Sequence, residues 1–147
     1  MRKKSKVALF TVLFVFAGFI FLRLLPIHDN RGRISERSVD DSKEAVALYV
    51  YRHKKLPSFY MTKAEARKKG WSSGSLDTMV PDRAIGGDRY GNFEGKLPYK
   101  NEKYFEADID TIGRKKRGDK RIIFTKKGDV WYTADHYGHF KQLYKGE

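Results

Sequence analysis

The chain has 147 residues, no cysteine and a formal charge of +13, so disulfide frameworks, thiolate metal centres and cysteine nucleophiles are excluded. Its length gives one folded domain with a small appendage, large enough to bury a core without covalent or metal staples. The first 33 residues hold seven basic residues and one acid, leaving 24 basic against 17 acidic residues, a charge of +7, on the remainder; that balance favours polyanions, whether nucleic acid, anionic lipid or an acidic protein.

Arg2, Lys3, Lys4 and Lys6 precede an apolar run, Val7 to Leu22, that Arg23 ends. A basic start followed by an apolar stretch reads as a secretory signal or a signal anchor with its positive end inside. The run is short of the ~20 residues of a spanning helix, and no A-x-A-like cleavage site follows it. Residues 1–27 are therefore expected to be either a cleaved signal or a membrane tether, and the rest to be secreted or held on the outer face of the membrane. Residues 28–38 are polar without an apolar period and read as a linker. The folded domain is expected over 39–147.

A first helix is predicted from the apolar face of Ala45, Val46, Leu48, Tyr49 and Val50, capped by Ser38 or Asp40 and stopped by Pro57, with Lys54 and Lys55 in its last turn. His53 within it is expected to be a surface or half-buried side chain rather than a catalyst. Thr62 with Glu65 three residues on is a capping-box pattern, and Gly70 marks the end of a second helix. After Trp71 the texture turns to Gly, Pro, Asp and Ser with short β-like runs. KYFEADID alternates, placing Tyr104, Glu106 and Asp108 on one face; RIIF and VWYT flank a hairpin turn at Lys127-Gly128-Asp129; and FKQLY, from Phe140, gives a last strand. Helices first and antiparallel strands afterwards predict an α+β domain in which the helices pack on a twisted antiparallel sheet. Asp135-His136-Tyr137-Gly138-His139 then falls on a loop between strands, where site residues tend to be carried.

RNA contains its own nucleophile, the 2′-hydroxyl, so a protein that cuts it needs a base, an acid and fixed cations around the phosphate. Glu106 on the alternating strand, His136 on the loop and the run Gly113 to Arg121 supply that inventory. Arg117 and Arg121 stand four apart, and guanidinium groups hold phosphate oxygens bidentately. No metal-ligand cluster of recognisable spacing is present in the sequence.

YMTKAEARKKGW, IGGDRYGNFEGKLP, FEADID, RGDKRIIF and YTADHYGHF occur in an order that resembles the barnase and binase family of small secreted bacterial ribonucleases, which prefer guanine at the cut site. The likeness runs from about Val46 to Tyr144. It implies Glu106 as general base and His136 as general acid, with Lys63, Arg117 and Arg121 binding the scissile phosphate. Arg117 is identified by counting back from RIIF, because the loop before it is one residue longer than in barnase and more basic. Tyr137 is implied as an aromatic lining the site, and Tyr90, Gly91, Asn92, Phe93 and Glu94 as the guanine loop. Asp88 is implied as a buried acid that organises the site. His139 matches no family role, and Phe93 stands where barnase and binase carry arginine. The implied reaction is metal-free transphosphorylation of RNA to a 2′,3′-cyclic phosphate, without a cofactor, by a monomer. An acidic barstar-like inhibitor is an implied partner, and only the N-terminal segment would touch a membrane. Two further readings stay open: an exported ribonuclease toxin countered by an acidic immunity protein, and an inactive cationic protein that binds RNA or anionic lipid.

Overall fold

A computed structural model of the chain describes residues 39–147; the expected signal or anchor segment and the linker lie outside these. The first helix, α1, runs from Lys43 to His53 and buries Val46, Ala47 and Val50. Its cap is Ser42, whose hydroxyl accepts from the Ala45 N–H, rather than Ser38 or Asp40. The helix stops at His53, short of Pro57: Lys54 takes a left-handed conformation (φ 59°) and donates its N–H to the Val50 carbonyl, so it lies past the last turn. His53 is exposed, as expected. The second helix, α2 (Lys63–Lys68), has the full capping box between Thr62 and Glu65.

Six strands form one sheet and stand in it in chain order: β1 (Tyr60–Met61), β2 (Ala84–Tyr90), β3 (Tyr104–Asp108), β4 (Arg121–Thr125), β5 (Val130–Thr133) and β6 (Lys141–Tyr144). The fold class is α+β. The antiparallel sheet gains one pairing that the sequence reading lacked, the short parallel edge of β1 on β2. β2 itself was hidden by the Gly86-Gly87 pair in its middle. Both glycines have reasons. A Cβ on Gly86 would lie 2.6 Å from the Tyr60 ring and 2.9 Å from the Ala107 Cβ, so only glycine lets the strands and Tyr60 close up. Gly87 (φ 98°) is an extra residue in the ladder: Gly86 pairs with Ala107 and Asp88 with Glu106. This bulge re-aims the strand, so that Asp88 shares Glu106's side of the sheet instead of Ala107's.

One face of the sheet buries Ile122, Phe124 and Val130 against α1. Each such side chain stabilises the fold by about 1.5–3 kcal/mol. The opposite face carries Glu106 and Asp108, and beside them Tyr104, Ile123, Trp131 and Leu97 form a smaller core under Tyr90, Tyr137 and Phe140. The site-bearing loops therefore rest on a packed floor of their own.

Candidate active site

The register of β3 on β4 sets Asp108 opposite Arg121 and Glu106 opposite Ile123. Asp108 is buried, and Arg117 grips both of its oxygens, Nε to Oδ2 at 2.6 Å and Nη2 to Oδ1 at 2.8 Å. Arg121, equally buried, brings Nε to 3.0 Å from Oδ1 in an ion contact too bent to be a hydrogen bond, while its Nη1 donates to the carbonyls of Gly118 and Lys120. One carboxylate thus assembles the two expected phosphate-binding cations. Its hydrogen bonds hold the Arg117 guanidinium still more firmly in its charged form. Tyr60 adds a hydrogen bond from its hydroxyl to the Asp108 carbonyl at 2.7 Å. Sequence reasoning did not assign Asp108 a role, although the alternation of YFEAD already put it on Glu106's face.

Glu106 is buried with both oxygens engaged. Lys63 Nζ donates to Oε1 at 2.7 Å and the Tyr137 hydroxyl to Oε2 at 2.5 Å. Burial first, and then the Glu106 carboxylate, push the Tyr137 phenol well above its usual range, so it is a donor at any ordinary pH. Lys63 opens α2, and its backbone N–H donates to Asp88 Oδ2 at 2.9 Å. Asp88 is half-buried rather than buried; it acts as the fastener between β2 and the helix that delivers Lys63.

His136 and Tyr137 both have left-handed backbones, φ 53° and 72°, a conformation that costs free energy in residues with a Cβ. The surroundings impose it. The Tyr137 N–H donates to Thr133 Oγ1, the same hydroxyl donates to Asp135 Oδ1, the His139 N–H donates to Asp135 Oδ1, and the His136 N–H donates to the Asp119 carbonyl. His139 Nδ1 lies 2.6 Å from Asp135 Oδ2 and holds that carboxyl far below the usual carboxylate range. His139, for which the sequence implied no role, therefore fastens the loop that presents His136, although its own ring is exposed.

An open cleft of about 480 Å³ lies beside this loop, lined by Tyr90, Asn92, Phe93, Glu94, Lys96 and the turn from His136 to Gly138. Tyr90 stacks on Tyr137, ring centroids 5.1 Å apart and 20° between planes. Lys96, absent from the sequence expectations, joins the two walls: its Nζ pairs with Glu94 Oε2 at 2.7 Å and donates to the Tyr137 carbonyl at 3.1 Å. Asn92 spends its side chain on the loop itself, exchanging two 3.0 Å hydrogen bonds with the backbone of Leu97. Phe93 is 99% exposed. Among the described residues no group of three or more His, Asp or Glu side chains is placed to hold a metal ion.

The expected site residues thus fall on one face of the sheet, on the loops beside it and, for Lys63, on the first turn of α2. Comparison with known proteins gives the family of the chain. The profile of a family described as ribonuclease matches residues 43–144. A ribonuclease of Heyndrickxia coagulans is 35% identical over 109 residues, covering 72% of this chain and 99% of the relative. Ribonucleases of Bacillus intermedius and Bacillus pumilus show the same identity over the same length, covering 72% of this chain and 67% of their own. The chain belongs to this family of bacterial ribonucleases, that of barnase and binase.

Proposed function

We propose that the protein is an extracellular endoribonuclease that cleaves single-stranded RNA after guanosine, by metal-independent transphosphorylation to a 2′,3′-cyclic phosphate. The observation that carries the reading is Glu106, a buried carboxylate hydrogen-bonded by Lys63 and Tyr137 and sharing its strand with the Asp108 that tethers Arg117 and Arg121. As substrate enters, the 2′-hydroxyl takes the place of one donor on Glu106, and its proton passes to the freed oxygen. Lys63, released from Glu106, turns its charge to the phosphate. Arg117 and Arg121, already fixed by Asp108, meet the negative charge that gathers on the phosphorane without reorganising. His136, exposed at the mouth of the cleft, protonates the departing 5′-oxygen. Hydrolysis of the cyclic ester runs the same proton transfers in reverse.

The guanine base enters the cleft of about 480 Å³, where Glu94 accepts hydrogen bonds from its edge and Tyr90 and Phe93 offer aromatic faces. On this reading the ribonuclease domain is residues 39–147, behind a linker over 28–38 and a signal or anchor over 1–27. DNA is spared because it lacks the nucleophile. A cationic binder without activity is the poorer reading, since a pure binder has no use for a carboxylate buried beneath its cations.

The test offers the purified protein a guanosine-containing dinucleotide and its 2′-deoxy analogue in excess EDTA. Cleavage of the ribose form alone, through a cyclic phosphate, is expected. A folded protein that cuts neither, or both, overturns the proposal.

A further inference from the structure

We propose that the loop Gly113–Arg117 forms a second phosphate subsite, which holds a phosphodiester of the RNA strand beyond the one that is cut. The inference rests on the ribonuclease reading above and adds a determinant of substrate length to it.

A second cleft, of about 630 Å³, opens where β3 ends, lined among others by Arg114, Lys115, Lys116, Arg117, Lys120 and Ala134. Along β3 the row Tyr104, Glu106, Asp108 separates it from the first cleft: Tyr90 pairs with Tyr104 at one end, while this cleft follows Ile109 and Asp110 at the other. Arg117 belongs to both the cleft and the cation pair on Asp108. A strand with guanine in the first cleft and its scissile phosphate over Glu106 therefore has this basic cleft within reach of a neighbouring phosphate.

The backbone is tied down at Thr111, Ile112, Gly113 and Lys115, before and within the loop. Asp41 Oδ2 accepts the N–H groups of Thr111 and Ile112. Asp77 Oδ2 accepts that of Gly113, and the Ser75 N–H donates to the Lys115 carbonyl at 3.0 Å. The side chains are treated in the opposite way. Arg114, Lys115 and Lys116 are exposed and have no ion pair among the described residues. Of the two carboxylates in the cleft, Asp110 is taken up by Lys120 at 2.6 Å. Only Asp119 opposes the three free cations. A solvated charge run needs no such anchoring, whereas like charges held together on a fixed backbone repel one another until a polyanion neutralises them. The phosphates of single-stranded RNA supply that charge, and their binding releases condensed counterions.

The experiment compares the full chain with Arg114→Gln/Lys115→Gln/Lys116→Gln and with Lys116→Gln alone. Substrates are a guanosine dinucleotide, the same dinucleotide extended by three nucleotides on its 3′ side, and one extended on its 5′ side. Binding of an all-deoxy oligonucleotide is followed by fluorescence anisotropy against salt. The expected result is an unchanged kcat/KM on the dinucleotide and a loss of about tenfold in the triple variant on one extended substrate, the scale of one charge-assisted hydrogen bond. The side on which the loss falls assigns the phosphate. The plot of log affinity against log salt for the deoxy strand should flatten by about 0.7 for each phosphate contact removed, with the single variant intermediate. Equal losses on short and long substrates, or no loss on any, overturn the subsite while leaving the ribonuclease reading intact. Absence of all cleavage by the unaltered protein defeats that reading, and the anisotropy slopes then decide the subsite alone.

Discussion

Tyr137 donates its hydroxyl proton to Glu106 Oε2 at 2.5 Å, so the residue next to the expected acid orients the expected base. The two expected proton-transfer groups are thus linked through a single dipeptide, His136-Tyr137. Tyr137→Phe should lower kcat by about ten- to a hundredfold, the worth of a hydrogen bond to a charged group, with KM changed less. Steady-state kinetics on the dinucleotide separate the two constants. A change confined to KM would count against an orienting role for Tyr137.

Glu106→Gln and His136→Ala should each lower turnover by about a hundred- to ten-thousandfold, the usual contribution of a general acid or base. Circular dichroism should show the fold retained in both. Comparable activity in either variant would remove that residue from the mechanism.

Asp108→Asn should unfold the protein more readily as well as slow it. The carboxylate is buried between two guanidinium groups, and removing one member of a buried ionic cluster leaves charge uncompensated at a cost of about 3 kcal/mol. Urea denaturation measures it. A midpoint equal to that of the parent would mean that Arg117 and Arg121 find other partners.

The loop that carries His136 has a built-in acid limit. Because His139 depresses the Asp135 carboxyl below its ordinary value of 3.8, the charged carboxylate favours the folded loop. That contribution is complete above the ordinary value and fades as pH falls through the depressed one. A carboxyl-carbon NMR titration should show Asp135 still ionised at pH 3, and His139→Gln should return its midpoint towards 3.8.

Phe93→Ala should leave stability within about 0.5 kcal/mol of the parent, as expected for a side chain that buries nothing. If its ring stacks on a base, KM should rise by a factor consistent with about 1–3 kcal/mol of stacking, with kcat held. An unchanged KM would assign base recognition to the rest of the cleft.

Where the sequence was legible, the signal was local. Thr62 and Glu65 satisfy each other within one turn of chain, and the alternation of YFEAD fixed which residues share the site face. The cap of α1 was not legible, because Ser38, Asp40, Asp41 and Ser42 compete within a few residues and the choice is tertiary. Asp41 is drawn away to the N–H groups of Thr111 and Ile112, and Asp40 to the Ser42 N–H, which leaves the Ser42 hydroxyl for the helix. Asp108 escaped notice for a similar reason: its partners lie on β4 and the loop before it, and only the strand register brings them to it. Asn92 was expected within the guanine loop without a stated contact, and only the structure shows that its amide closes that loop on Leu97. Glycine-rich β2 illustrates the limit of propensity, since the residues that weaken the strand signal are those its bulge and close packing require.

The order of strands has a consequence for synthesis. Because the strands stand in the sheet in chain order, the residues of α1, α2 and β2, Lys63 and Asp88 among them, leave the ribosome before Glu106, and His136 follows only after β5. The strand that closes that edge, β6, comes later still and pairs with β5. Nascent chains therefore carry the expected phosphate-binding Lys63 before either expected proton-transfer residue, and the expected catalytic set is complete only when nearly all of the sheet has been made.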